Sequence, residues 1–393
     1  MMKRISLLLS LLLVTLTGAR ANDGVFYAQG NQLIPITETE ISVRKEILTI
    51  NRIGKTDVVE ISVYYEFFNP TNRTKTLLVG FEAAAPYPYE GLGHFPEQPN
   101  IHDFRVIMNG QSLPFQVAHV EGDKFSYDAS EHPVPPYYVN GKVLDWTKKQ
   151  CEDAIVEAEE FYYPFDYVYH FNASFQPGVN TVEHTYRFLM SESVDMKYNL
   201  PYVLTAACRW ANHQIDDFTL RINMGDGESF AIYPHFFQSA AEWTINGVGK
   251  TDITPFGGED SPRFHIREGG ISFHKTNFRP EGELLLFQER GFLTYYYSYE
   301  NEPLSSASIV SSIGEYYYDW SSLLKEKIQS NPADARILRN LPFAYRGYVF
   351  KSKDLQKFFE STAWYIPNPD YVADMDAMSQ KEKEWINFWM KRQ

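Results

Sequence analysis

The strongest constraint on the fold is a strict alternation in residues 59–68. Val59, Ile61, Val63, Tyr65 and Phe67 take one set of positions, and Glu60, Ser62, Tyr64, Glu66 and Phe68 take the other. An apolar residue at every second position presses one face of a strand against a core, a period that no helix matches. The pattern recurs at Val182, His184, Tyr186 and Phe188, where His184 is expected to be a hydrogen-bonded core histidine. It recurs again at Phe218, Leu220, Ile222 and Met224, set against Thr219, Arg221 and Asn223. Leu284–Phe287 and Phe292–Tyr299 read as further strands. Turn signals separate these runs. Asn69-Pro70-Thr71-Asn72 breaks the chain before Thr76–Phe81, and Asn109-Gly110 sits between Phe104–Met108 and Leu113–Val117. Asp226-Gly227 and Asn246-Gly247 are read as turns as well. The 27 Tyr and 28 Phe suit strands better than helices. Short strands with frequent turns predict a mainly β region over 22–300, built as one β-sandwich or two.

Two segments depart from this pattern. Residues 82–100 hold Pro86, Pro88, Gly91, Gly93 and Pro96, a long loop carrying Tyr87, Tyr89, His94 and Phe95. Its aromatics are expected to pack on the sandwich. An insertion is expected at about 123–165: a Pro-rich stretch at 132–136, a turn at Asn140-Gly141, then a helix over Trp146–Phe161. Cys151, Ile155, Ala158 and Phe161 or Tyr162 would form that helix's apolar stripe, with Glu157, Glu159 and Glu160 on the solvated side.

Beyond a linker at 301–330 the period becomes helical. Asn331-Pro332-Ala333-Asp334 supplies a cap, a proline in the first turn and an acid at the positive end of the dipole. Ser379 with Glu382 three residues on is a capping box, opening a last helix with Trp385, Ile386, Phe388 and Trp389. Charge changes at the same place. Residues 22–330 carry −19 and residues 331–393 carry +2, which marks a small, mostly α C-terminal domain.

Residues 1–21 read as a signal peptide: Lys3-Arg4, an apolar run Ile5–Leu16, and Ala19-Arg20-Ala21 before Asn22. That run is too short to span a bilayer, and no later run reaches about eighteen apolar residues. No cysteine near the cleavage site offers a lipid anchor. Export, to periplasm or medium, is expected, and it permits a disulfide between Cys151 and Cys208. Two buried free thiols are an equal expectation. The acidic surface opposes a nucleic-acid partner.

Chemistry leaves little trace. Nucleophile-elbow, zincin, phosphate-loop and dinucleotide motifs are absent, so no catalytic, cofactor or metal residue is assigned and no cofactor is expected. Arg263–His274 reads as a hairpin turning at Gly269-Gly270, which would place His265 opposite His274 on one face. A shared metal would need more ligands, so a solvent-facing pair is favoured. Tyr295-Tyr296-Tyr297 and Tyr316-Tyr317-Tyr318 are read as packing residues before sugar platforms.

In the C-terminal part, Ile337-Leu338-Arg339-Asn340, Phe343–Ser352, Leu355, Phe359, Trp364-Tyr365 and Pro367 resemble the YARHG domain of exported bacterial proteins. The naming motif reads Phe343-Ala344-Tyr345-Arg346-Gly347 here, so Ala344 and Gly347 match and the arginine and histidine positions have changed. The resemblance spans 331–393. It implies an extracytoplasmic module of no established activity, and the residues themselves read as a compact unit with Phe350, Phe359, Trp364, Trp385 and Trp389 as its core. The stretch Tyr64–Pro70 more loosely resembles uncharacterised exported β-domains. The expected function is non-enzymatic binding or scaffolding in the cell envelope, with an envelope protein or glycan as partner. The alternatives are a glycan or peptidoglycan binder, which needs an exposed aromatic pair, and a hydrolase whose site is assembled from distant residues.

Overall fold

The computed structural model describes residues 21–29, 32–36, 38–83, 91–121, 141–158, 163–192, 196–289, 304–305, 328–329 and 332–392. The strands of the first half are β1 (Ala21–Gln29), β2 (Gln32–Ile36), β3 (Ser42–Arg52), β4 (Val58–Asn69), β5 (Lys75–Ala83), β6 (Ile101–Met108), β7 (Gln111–Ser112), β8 (Gln116–Glu121), β9 (Gly141–Leu144), β10 (Phe165–Phe175) and β11 (Gly178–Leu189). There follow β12 (Met196–Tyr202), β13 (Ile215–Asn223), β14 (Glu228–Ile232), β15 (Trp243–Phe256), β16 (Glu259–Phe278), β17 (Leu284–Glu289), β18 (Leu304–Ser305) and β19 (Ile328–Gln329). The helices are α1 (Lys148–Glu157), α2 (Pro332–Tyr345), α3 (Lys353–Glu360) and α4 (Gln380–Met390).

The chain is mainly β with a small α unit at its C-terminal end, as the periodicities predict. Its layers are more elaborate than a plain sandwich. Strands β1-β2-β9-β8-β10-β5 close into a barrel. A second sheet runs β12-β17-β14-β16-β13-β3-β4-β11-β6-β7, with β15 along the other edge of β16. Strands β4 and β11 belong to the large sheet, while β5 and β10, one short turn away in sequence, belong to the barrel. Both crossings meet at Asn69. Its buried amide donates to the carbonyls of Arg73 (2.8 Å) and Phe175 (3.0 Å), and its side-chain oxygen accepts from Thr71 N–H.

The two layers share an aromatic core. From the barrel, Phe81 and Tyr169 meet Phe104, His184 and Tyr186 of the sheet. Ring centroids lie 5.2 Å apart for Phe81–Tyr186, 4.7 Å for Phe104–Tyr169 and 5.7 Å for Phe104–His184. The alternating residues Val59 to Phe67 are all buried, as are Phe218, Leu220, Ile222 and Met224. The Asn109-Gly110 turn joins β6 to β7 with both residues in the left-handed region (φ 50° and 78°), the geometry a two-residue hairpin loop requires. Helix α1 is shorter than the predicted Trp146–Phe161. Thr147 and Gln150 form a capping box at its start, Ala158 ends it, and Cys151 and Ile155 are its buried residues.

Two predicted turns are not turns. Asn246-Gly247 lies inside β15 and Gly269-Gly270 inside β16, and the pairs face each other across the ladder. Strand β16 pairs with β14 through 263–266 and with β13 through 271–278, so these glycines mark the point where it passes from one neighbour to the other. The backbones crowd there. A Cβ on Gly269 would lie 2.1 Å from the Asn246 carbonyl oxygen, and one on Gly247 2.1 Å from that of Glu268. Glycine signals close backbone approach here as it signals a turn elsewhere. The hairpin turn is at Gly257-Gly258. His265 and His274 therefore do not face each other. They sit nine residues apart along one strand, about 30 Å at 3.3 Å per residue.

The C-terminal unit has its own core. Leu338, Leu341, Phe350, Phe359, Trp364, Tyr365, Trp385 and Trp389 form one buried cluster, containing all five predicted core aromatics. Helix α2 continues through Pro342, which has no N–H to offer the Leu338 carbonyl four residues back. The Trp385 indole N–H of α4 donates to that carbonyl at 2.7 Å, so a tertiary contact replaces the missing helical bond. Helix α2 then stops in a Schellman motif. The N–H of Tyr348 donates to the Phe343 carbonyl (3.0 Å) and that of Gly347 to the Ala344 carbonyl (2.8 Å). Gly347 takes φ +77°, and a Cβ there would come within 2.5 Å of the Ile366 oxygen. The position of the family's naming motif is, in this chain, a helix stop.

Candidate functional site

Strands β14, β15 and β16 place Ser229, Asp252, Arg263 and His265 on neighbouring positions of one sheet face. Ser229 is opposite His265, and Asp252 opposite Arg263. The intervening Phe230, Phe264 and Ile266 point into the main core. Strand alternation thus turns four scattered polar residues into one row. Ser229 Oγ lies 2.8 Å from His265 Nδ1, and His265 Nε2 lies 3.0 Å from Asp252 Oδ1. Arg263 grips Asp252 with two nitrogens, Nε at 2.9 Å and Nη2 closer still. Burial pushes the Asp252 carboxyl up, but the Arg263 and His265 hydrogen bonds outweigh it and hold the group down at about 2. An ionised Asp252 only accepts, so His265 donates to it from Nε2.

A hydroxyl, an imidazole and a carboxylate in series are the parts of a nucleophilic site. The surroundings limit what they can do. Ser229 and His265 are 8% and 3% exposed. The cleft beside them, lined by Ser229, Ala231, Thr254, Arg263 and Phe287 among others, holds about 10 Å³, room for one water. Sequence reading missed this row because its members come from three strands. Only His265 was singled out, and for a different partner.

A second charged group lies where the turn Thr205–Arg209 meets the barrel. Arg209 pairs with buried Glu82 at 2.7 Å. Burial raises the Glu82 carboxyl and Arg209 opposes the rise. Glu283 receives Leu204 N–H (2.6 Å), Thr205 N–H (3.2 Å) and the Thr205 hydroxyl (2.7 Å), which fixes the start of the turn. These contacts hold the turn in place.

The remaining candidates are dispersed. His274 pairs with Asp217 at 2.9 Å on the exposed sheet surface. Cys151 and Cys208 are both free, Cys151 buried in α1 and Cys208 in the Thr205–Arg209 turn. Burial pushes the Cys151 thiol up to about 11 and raises Cys208 as well. Among the described residues no three His, Cys, Asp or Glu side chains are grouped to hold a metal. Phe95 stacks on His119 at 5.1 Å, as expected of the loop, while Tyr87 and Tyr89 lie outside the described residues. So do Tyr295-Tyr296-Tyr297, Tyr316-Tyr317-Tyr318, Glu159 and Glu160.

The C-terminal unit offers surface more than chemistry. Arg346 reaches Glu382 of α4 with two nitrogens, at 2.7 and 3.2 Å, and Glu382 also caps its own helix through Ser379 N–H. Among the described residues, four of the eight exposed large apolar side chains lie in this unit: Val349, Val372, Met375 and Met390. The Tyr348 and Tyr371 rings, 6.3 Å apart, bring the neighbourhoods of Val349 and Val372 together. No helix among the described residues is long and apolar enough to cross a membrane.

Comparison with solved structures finds a "putative nutrient binding protein" from Legionella pneumophila, with TM-score 0.45 and 17% identity over 95% of this chain and 100% of that one. An M1 zinc metallopeptidase from Deinococcus radiodurans gives 0.25 and 9%, over 64% of this chain and 43% of its own. Leukotriene A4 hydrolase from Saccharomyces cerevisiae gives 0.24 and 11%, over 60% and 29%. No curated protein matches the chain. The family model of the YARHG domain matches residues 316–391, beginning inside the 301–330 segment and taking in all three C-terminal helices, so this region is similar to that family.

Proposed function

We propose that the chain is a non-enzymatic exported protein of the cell envelope with a binding or scaffolding role, its partner an envelope protein or glycan. The observation that carries this reading is the concentration of exposed apolar side chains on the C-terminal unit, with Val372 80% exposed. The signal-like residues 1–21 and the YARHG match support export. The test is retention from envelope extract, and on purified peptidoglycan, by chain 22–393 beside its Val372→Asp/Met375→Asp variant. Saturable retention of one component, lost in the variant, supports the reading. No specific retention, or equal retention by both, overturns it.

A hydrolase is the second reading, favoured by the Ser229–His265–Asp252 row. Its test is labelling by a fluorophosphonate. Adduct formation at Ser229, abolished by His265→Ala, would support it, and an unlabelled Ser229 in folded protein would remove it.

A further inference from the structure

We propose that β15 is a self-association edge, pairing antiparallel with β15 of a second copy of this chain about a two-fold axis at Thr251. Strand β15 is fourteen residues long and pairs, among the described residues, with β16 alone. A sheet edge of that length presents a row of backbone donors and acceptors to another strand. The edge is regular only in its middle. A bulge at Val248/Gly249 interrupts it on one side, and Pro255, which has no N–H, on the other. Pairing is thereby confined to about residues 249–254.

Charge selects the register within that window. Lys250 and Asp252 occupy one face, two residues apart. With the axis at Thr251, Lys250 faces Asp252 of the partner subunit, and the reciprocal pair forms by symmetry. With the axis one residue on, two Asp252 carboxylates would face each other, which is repulsive. Asp252 keeps its bonds to Arg263 and His265, and a carboxylate has acceptor sites to spare. No ion pair engages Lys250 among the described residues. On the opposite face Ile253, 50% exposed, would lie over Gly249 of the partner subunit, where no side chain obstructs it. A seam this short buries less than a standard interface, so the dimer is weak and concentration-dependent.

Sedimentation velocity of chain 22–393 over rising concentration tests the proposal, with amide exchange read at 249–253. The expected result is a reversible monomer–dimer equilibrium that weakens with added salt. Slowed exchange at 249–253 should accompany dimer formation. Lys250→Glu sets Glu opposite Asp252 twice per dimer and should weaken association about tenfold while the circular dichroism stays native. A monomer at every soluble concentration overturns the proposal. So does a dimer whose 249–253 exchange is unchanged, and that readout needs no variant.

Discussion

Replacing Trp385 by Phe tests whether a tertiary contact substitutes for the helical bond that Pro342 removes. The Leu338 carbonyl accepts from the Trp385 indole at 2.7 Å, and both groups are buried. Phenylalanine keeps an aromatic ring in the core but leaves the carbonyl without that donor. An unsatisfied buried carbonyl costs about 1–3 kcal/mol, and the lost indole volume adds about 1 kcal/mol. The single variant should therefore lose about 2–4 kcal/mol. Pro342→Ala restores an N–H at the position that normally serves Leu338. In that background Trp385→Phe should cost about 1–2 kcal/mol less, because Ala supplies the missing bond. Amide exchange of peptides from 332–392 in chain 22–393 reads the opening free energy of this unit apart from the β region. Additivity of the two substitutions within about 0.5 kcal/mol would refute the reasoning, since independent sites add to that precision.

Three further outcomes are expected. Asp252 is held at about 2 against 3.8 when free, which stabilises the fold by about 2 kcal/mol above pH ~5, lost as pH falls from about 4 through 2. Asp252→Asn should remove that acid-dependent loss in urea titrations at graded pH, and identical slopes for the two proteins would contradict the assignment. Gly347→Ala, at φ +77° and against the Ile366 oxygen, should destabilise the C-terminal unit by about 1–2 kcal/mol or more. Unchanged exchange in 332–392 would mean the Schellman stop is not required. The unreduced, unfolded chain 22–393 should titrate two thiols, while native Cys151 should resist alkylation at pH 8 because burial raises it to about 11. Recovery of no thiol would show a disulfide instead.

The local rules in the sequence carried the element types. Alternation at Val59–Phe67 placed a strand with the correct buried face because a period of two admits one assignment. Asn109-Gly110 and Ser379/Glu382 placed a hairpin and a helix start because their hydrogen bonds close within a few residues. Gly269-Gly270 misled for an equally physical reason. Glycine marks any place a Cβ cannot fit, and sequence does not distinguish a turn from a neighbouring backbone at 2.1 Å.

The long-range arrangement had no local signature. Closure of β1, β2, β9, β8, β10 and β5 into a barrel pairs residues more than a hundred positions apart. The Ser229–His265–Asp252 row needs three strands in register, and the indole of Trp385 serves a carbonyl 47 residues earlier. The sequence by itself determined the alternating strands at Val59–Phe67 and Phe218–Met224, the Ser379/Glu382 cap, the aromatic core of the C-terminal unit and that unit's family resemblance, because each depends on spacing along the chain. Tertiary structure alone decided which strands are neighbours and which polar groups meet, because those contacts depend on register between segments that local propensity leaves independent.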